Sequence, residues 1–137
     1  MGGLEQLVAD LEAAPVGDNE LSARLLLALG WQFVEPSSPN GGSHWRRHAY
    51  VKPDGRNIGQ FGPQPTGNAT EAFEAIPEPW WLVTVAHVDP EDRYGPIEAC
   101  LAFDDTETLV FGRGGNYQLA ICVATAKALA SSEGSSG

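Results

Sequence analysis

The chain is poor in basic residues, and this scarcity excludes a large class of functions. Its 137 residues include eight lysines and arginines against eighteen aspartates and glutamates, which gives a net charge of −10. Proteins that follow a nucleic-acid backbone neutralise many phosphates with Lys and Arg. We therefore expect no nucleic-acid partner, although a small anionic ligand held by a local cluster of arginines is compatible with this charge.

Long apolar runs are also missing from the chain. Runs such as residues 80–85 are far shorter than the roughly 20 residues of a membrane-spanning helix, so the sequence predicts no membrane partner. The first residues lack a basic stretch followed by an apolar core, and the acidic residues Glu5, Asp10 and Glu12 are unlike a transit peptide. We therefore expect a leaderless protein of the cytoplasm.

Cysteines are few, and the common catalytic motifs are absent. Cys100 and Cys122 stand among apolar neighbours and are expected to be buried free thiols; a disulfide and a reactive thiol are the alternatives. His44 and His48 have the spacing of a helical metal pair, but their segment is predicted as strand and supplies no third ligand. No nucleophile-elbow, zinc-protease or phosphate-loop motif occurs. The sequence therefore predicts no enzyme, no metal site and no cofactor.

The spacing of apolar residues predicts the order of the secondary-structure elements. Helices are expected over residues 4–14, 20–29, 69–75 and 117–130, and strands over residues 31–34, 45–51, 56–61, 80–88, 98–103 and 109–111. Asp18 or Asn19 is the expected N-cap of the second helix, and Gly30 is expected to end it. Asn68, with Glu71 three residues on, has the form of a capping box for the third helix.

These elements indicate the fold class. Strands joined as hairpins favour an antiparallel sheet, and the strand over residues 80–88 is apolar on both faces, so cover on both sides is expected. With helices at both ends of the chain, the sequence predicts an α+β fold, a three-layer α/β/α sandwich with a mainly antiparallel sheet. Phe73 and Ile76 are expected to face the core. Residues 1–130 are expected to form a single domain and residues 131–137 a disordered polar tail.

Three blocks of the chain resemble, in order, the phage ABA-sandwich domain family. Residues 19–30, NELSARLLLALG, are similar to its D-x-x-I-A-x-A-L-G opening. Residues 68–77, NATEAFEAIP, followed by Trp80 and Trp81, resemble its S-L-D-A-A-x-x-L-x-P-x-x-W box. Residues 119–129, LAICVATAKAL, resemble its closing P-A-L-A-L-C-A-A-A-L helix, although Tyr117 and Gln118 stand where the family has its proline.

This resemblance implies a small phage or prophage protein, acting in the cytoplasm of the infected host cell. Some proteins associated with the family are anti-defence sponges of the Thoeris type, which sequester a cyclic ADP-ribose-like signal without cleaving it. By this analogy we expect a non-enzymatic binder that forms a homo-oligomer and captures a small anionic nucleotide-like ligand. A fold alone does not fix a function, so the residues have to supply the site.

The segment Arg113, Gly114, Gly115 and Asn116, just before the last predicted helix, is the leading candidate for that site. The free N–H groups and the positive end of a helix attract an anion. Glycines let a phosphate approach the backbone closely, and a guanidinium adds two parallel donors. The alternative interpretation is a flexible turn in which Asn116 is an ordinary N-cap.

A second candidate is the basic cluster around Trp45, Arg46 and Arg47. Trp45, or Tyr94 further along the chain, could stack on a nucleotide base as aromatic residues do in other binding sites. The alternative interpretation is a solvated edge strand whose charges oppose aggregation. Residues Arg46 and Arg47 point to opposite faces if the segment is a strand, so only one of them can meet a given ligand.

The leading hypothesis is therefore an anti-defence protein that sequesters a nucleotide-derived immune signal, a cyclic ADP-ribose isomer or a cyclic oligonucleotide. The alternative is a phage protein–protein interaction module, or an inhibitor that covers a host protein through its acidic surface. A minor virion component is a third possibility.

Overall fold

The structure is a computed structural model that describes residues 2–34, 49–59, 63–89, 91, 96–104 and 107–135. In chain order its elements are α1 (Gly2–Ala13), α2 (Asn19–Ala28), β1 (Gln32–Val34), β2 (Ala49–Val51), β3 (Asn57–Gly59), α3 (Ala69–Glu74), β4 (Trp81–His87), β5 (Ile97–Ala102), β6 (Leu109–Gly114) and α4 (Tyr117–Ser135).

The strands form two antiparallel sheets. A small sheet has the order β1-β2-β3 and a larger one the order β4-β5-β6, and every neighbouring pair in them is antiparallel. Hairpin connections between β4, β5 and β6 explain this arrangement, because a short loop can only return the chain alongside itself. The predicted α+β class and antiparallel sheet are confirmed.

Helix α4 lies at the centre of the molecule. It covers one face of the larger sheet, and α1, α2 and α3 pack against α4. Residues 119–126 are all buried, which is expected of a helix with neighbours on every side. Within the described residues the layers therefore run from sheet to α4 to the other helices. The predicted α/β/α order, with the sheet in the middle, is corrected to β/α/α.

The reason for this correction lies in β4. The apolar pattern of this strand predicts cover on both faces, but Trp81 and Val83 are exposed on the side away from α4. The pairing with β5 shifts register between Leu82 and Thr84, so a bulge at Val83 changes which residues share a face. Without it, Leu82 and Thr84 would lie together; with it, Leu82 packs on the core and Thr84 lies with Trp81.

Helix α2 begins and ends where the sequence predicts. The Leu21 N–H donates to Asp18 Oδ1 at 2.7 Å, so Asp18 rather than Asn19 is the cap. At the other end, Gly30 has a φ of 98°, and the Gly30 and Trp31 N–H groups donate to the carbonyls of Leu27 and Leu26. This pattern is a Schellman motif, and it folds Trp31 back over the end of the helix.

Helix α3 is capped as predicted, but the side that it buries differs from the prediction. The Glu71 N–H donates to Asn68 Oδ1 at 3.2 Å, whereas the Glu71 carboxylate accepts from the Gln64 N–H at 2.7 Å and ties down the preceding loop. Ala72 is the buried residue of this short helix, and Ile76 packs against the core. Phe73, predicted to face inward, is exposed, because it follows Ala72 by one residue and so points about 100° away around the helix.

Two further predictions concern the chain's end and its thiols. Helix α4 continues to Ser135, so residues 131–135, expected to belong to a disordered tail, are helical. Cys100 and Cys122 are free and buried, as predicted. Within the described residues, no helix is long and apolar enough to cross a membrane.

Candidate functional site

Arg113 belongs to strand β6 rather than to a loop before α4. Its register partner on β5 is Glu98, and the Arg113 Nε–H donates to Glu98 Oε2 at 3.0 Å. Both side chains lie on the sheet face away from α4. The pair is largely exposed to solvent, so it contributes at most about 1 kcal/mol to stability.

The neighbours of Arg113 have packing and capping roles. Gly114 is buried against α4: a β-carbon there would lie 2.7 Å from the Ala120 nitrogen and 2.8 Å from the Leu119 carbonyl carbon. The Asn116 Oδ1 accepts from the Leu119 N–H at 2.9 Å, which is the ordinary N-cap bond. Gly115 is exposed.

Residues Arg113 and Gly114 therefore face opposite sides of the sheet. The structure does not bring the Arg113–Asn116 segment together around one pocket. The other candidate residues, Trp45, Arg46, Arg47 and Tyr94, lie outside the described residues.

The face of the larger sheet that α4 leaves uncovered is the first notable surface, and we call it the open sheet face. The register aligns three rows of residues across it: Trp81 with Ala102 and Leu109, Thr84 with Cys100 and Phe111, and Ala86 with Glu98 and Arg113. Val83, at the bulge, and Val88, just past β4, are also exposed. The large apolar side chains of this face are 39% to 47% exposed: Trp81, Val83, Val88, Leu109 and Phe111.

Acidic residues stand at both ends of the open sheet face. The connection from β5 to β6 contains Asp104, Asp105 and Glu107 and no basic residue. The connection from β4 to β5 contains Asp89, Glu91 and Asp92 with a single arginine at position 93. Of these, Asp89, Glu91, Asp104 and Glu107 are described and exposed. The face is thus apolar in its middle row and in the row of Trp81 and Leu109, carries the Arg113–Glu98 pair in its third row, and has an acidic turn beyond each end.

One thiol lies within the open sheet face. Cys100 lies at its centre, buried by its neighbours. Burial raises the pKa of the Cys100 thiol, and the Glu98 carboxylate raises it further, so the thiol is protonated and a weak nucleophile at neutral pH. Within the described residues, no group of three His, Cys, Asp or Glu side chains could hold a metal ion.

A groove of about 580 Å³ is the second notable surface, and we call it the α2–α3 groove. Its volume falls within the range typical of small-ligand sites. Leu26, Leu29 and Ile76 provide apolar walls. Trp31 forms another wall because the Schellman motif turns the chain there. Of the residues that the structure describes, the charged ones in the lining are Lys52, from the turn between β2 and β3, and the α3 residues Glu71 and Glu74.

Sequence reasoning missed both surfaces. The open sheet face could not be predicted because the apolar pattern of a strand is the same whether or not a helix covers that face. The α2–α3 groove is assembled from segments far apart in the chain, among them the end of α2, Lys52 and α3. The Leu-Gly-Trp sequence at residues 29–31 was the one local signal, since a helix-ending glycine followed by a large apolar residue places that residue against the helix end.

Comparison of the chain with protein-family models, with curated proteins and with solved structures finds no match. The resemblance to the phage ABA-sandwich family therefore stays a prediction made from the three sequence blocks.

Proposed function

We propose that this protein is a protein–protein interaction module whose open sheet face binds a partner that is apolar at the centre of its surface and rich in lysine and arginine at the edges. The observation that carries the proposal is the set of exposed apolar side chains on that face, with the aromatic residues Trp81 on β4 and Phe111 on β6. Aromatic residues are enriched among those that dominate binding energy at protein interfaces.

The open sheet face is small, so a partner has to contact more than this face. Three strands of about six residues cover about 300 Å² by ordinary strand spacing and rise, whereas a standard interface buries about 800 Å² on each partner. The apolar centre alone is therefore too small for a stable complex. Contacts with the flanking turns have to supply the rest, and these turns carry Asp89, Glu91 and Asp104.

The charge of those turns favours a basic partner over a second copy of this chain. Lysines and arginines at the edge of a partner would meet carboxylates at both ends of the open sheet face and would speed association. Two copies packed face to face with aligned strands would bring these acidic ends together. The homo-oligomer predicted from the sequence is therefore the competing occupant of this face, and light scattering tests for it.

Nucleotide capture, the leading hypothesis from the sequence, stays a prediction. Its support is weakened because Arg113 pairs with Glu98, Gly114 packs on α4 and Asn116 caps the helix. The phage origin, the anti-defence role and the location in an infected host likewise stay predictions from the resemblance.

The test uses two labelled strand-forming peptides of equal length, one alternating leucine with lysine and the other leucine with glutamate. Fluorescence anisotropy is expected to detect binding of the lysine peptide and little or none of the glutamate peptide. Added salt should weaken binding because the charges at the sheet ends are exposed. Phe111→Asp should reduce lysine-peptide affinity about tenfold or more, the loss typical of a central aromatic contact.

Phe73→Asp is the matched control, since Phe73 is 54% exposed and Phe111 47% exposed, but Phe73 lies on α3. It should leave the affinity unchanged, and circular dichroism should confirm that both variants fold. Equal binding of the two peptides, binding of neither, or the same loss in both variants would contradict the proposal. So would light scattering that finds a dimer dissociated by Phe111→Asp, because a second copy would then occupy the face.

A further inference from the structure

The α2–α3 groove contains none of the residues that form the open sheet face, so a proposal about it is independent of the proposed function. The groove combines an indole wall, apolar walls and a few charged groups. This is the usual composition of a small-molecule site, in which apolar surface supplies most of the affinity and a few polar groups fix orientation. Which ligand fits is decided by the sign and position of those charges.

Among the described residues that line the groove, carboxylates outnumber cations. Glu71 and Glu74 are three residues apart on α3 and therefore lie on the same side of the helix. One Glu71 oxygen already accepts from the Gln64 N–H, which holds that carboxylate in place. Glu74 is exposed and is available to a ligand at the groove mouth.

Lys52 is the one basic residue among the described lining residues. The pKa of Asp54 is lowered first by the Arg56 backbone N–H and side chain and also by Lys52. The Lys52 ammonium therefore lies within electrostatic reach of Asp54. Asp54 is itself paired with Arg56 at 3.2 Å. The described lining residues thus carry two carboxylates against one ammonium, in a chain that is itself strongly negative, so an anionic ligand is disfavoured there.

We propose that the α2–α3 groove binds a small aromatic cation, its ring against Trp31 and the apolar walls and its amine near Glu71 and Glu74. An indole face attracts a cation or stacks on a flat ring, and carboxylates favour an ammonium group. This class of ligand differs from the anionic nucleotide that the sequence suggested.

Four probes with the same ring and different charge test the proposal: tryptamine (cation), tryptophan (zwitterion), indole (neutral) and indole-3-acetate (anion). Two-dimensional amide NMR titrations of the intact protein should detect tryptamine binding with a dissociation constant of about 1 mM, typical of a ligand of this size. Affinity should decrease from the cation to the neutral ring to the anion. The shifted amides should include those of Trp31, Lys52 and Ala75.

Two variants separate a specific site from general attraction of cations to an acidic protein. Glu74→Gln should weaken tryptamine about two- to fivefold, as expected for an exposed ion pair, and should not affect indole. Glu20→Gln removes the same charge from an exposed position of α2 outside the groove lining and should change neither. Lys52→Met should strengthen tryptamine binding, a gain that misfolding cannot imitate.

Several results would overturn the proposal. Binding of indole-3-acetate as tight as that of tryptamine, or tighter, is one such result, and an equal loss of tryptamine affinity in Glu74→Gln and Glu20→Gln is another. The others are amide shifts confined to residues outside the groove, and no binding of any probe at several times its expected dissociation constant. An effect of tryptamine on the amides of the open sheet face would point to general attraction by the acidic turns instead.

Discussion

Gly112 of β6 lies directly against Ala124 of α4: a β-carbon at Gly112 would stand 2.7 Å from the Ala124 Cα and 2.8 Å from the Ala120 carbonyl oxygen. Two residues further along the strand, Gly114 meets Ala120 in the same way. The strand therefore turns glycines toward the helix at alternate positions, and the helix presents alanines four residues apart. Strand and helix approach backbone to backbone along this line.

Substitution of Gly112 tests this close contact. Gly112→Ala is expected to lower the free energy of unfolding by about 3 kcal/mol or to prevent folding, because the new methyl group meets helix backbone that cannot move aside as a flexible side chain would. Gly115→Ala should change the free energy of unfolding by less than about 0.5 kcal/mol, since Gly115 is exposed and a β-carbon there would lie 3.6 Å from the Pro15 carbonyl oxygen. Urea denaturation measures both; similar losses would refute the packing argument.

Two substitutions of Asn116, one apolar and one acidic, test its role as the N-cap of α4. Asn116→Ala should cost about 1 kcal/mol of unfolding free energy, the usual value of an N-cap. Asn116→Asp should keep or increase stability, because an aspartate caps equally well and its charge suits the helix N-terminus. Thermal unfolding at neutral pH checks both variants. A phosphate ligand that stabilises the protein and loses this effect in Asn116→Asp would instead support the anion site predicted from the sequence.

The features that the sequence predicted correctly depend on a few neighbouring residues. Asp18 and Asn68 cap their helices, and Gly30 ends α2, because each of these motifs is completed within three or four positions. The antiparallel pairing of β4, β5 and β6 follows from short connections in the same way. Local chemistry alone suffices for such features.

The errors all required knowledge of a distant neighbour. Gly114 was predicted to belong to a phosphate-binding turn, but α4 lies against it, and a β-carbon there would meet the Ala120 nitrogen. The bulge at Val83 leaves no trace in the apolar pattern of β4. Phe73 was expected to face inward because it is apolar, but Ala72 takes the buried position beneath it. Which face of an apolar element is covered is decided by tertiary packing.

A buried hydroxyl pair fixes the loop before α3 to the start of α2. Ser22 and Thr66 are fully buried, with Ser22 Oγ and Thr66 Oγ1 2.7 Å apart. The Thr66 N–H donates to Ser22 Oγ and the Thr66 hydroxyl donates to the Asp18 carbonyl. Every polar atom of the pair is thus satisfied if the Ser22 hydroxyl donates to Thr66 Oγ1.

Thr66→Val should therefore lower the free energy of unfolding by about 2 kcal/mol, since it keeps the shape of the side chain but leaves the Ser22 hydroxyl buried without an acceptor. Thr66→Ser should retain most of the stability, because the hydroxyl remains. Thr70→Val, at an exposed position of α3, is the control and should lose less than about 0.5 kcal/mol. Chemical denaturation distinguishes the three, and equal stability of Thr66→Val and wild type would exclude an energetic role for the pair.

Cys122 should make the free energy of unfolding decrease as the pH rises above 9. Burial raises the pKa of its thiol from 9.0 to about 12, because the folded interior disfavours the thiolate. Below pH 9 both folded and unfolded chains keep the proton, so stability is unaffected. Between pH 9 and 12 the unfolded chain loses it while the folded chain does not, and unfolding should become easier by up to about 1.4 kcal/mol for each pH unit. Other groups titrate in this range, so the measured quantity is the difference between wild type and Cys122→Ala in urea denaturation across this range. That difference should change with pH as stated, and a constant difference would mean that the Cys122 thiol is not buried in the folded protein.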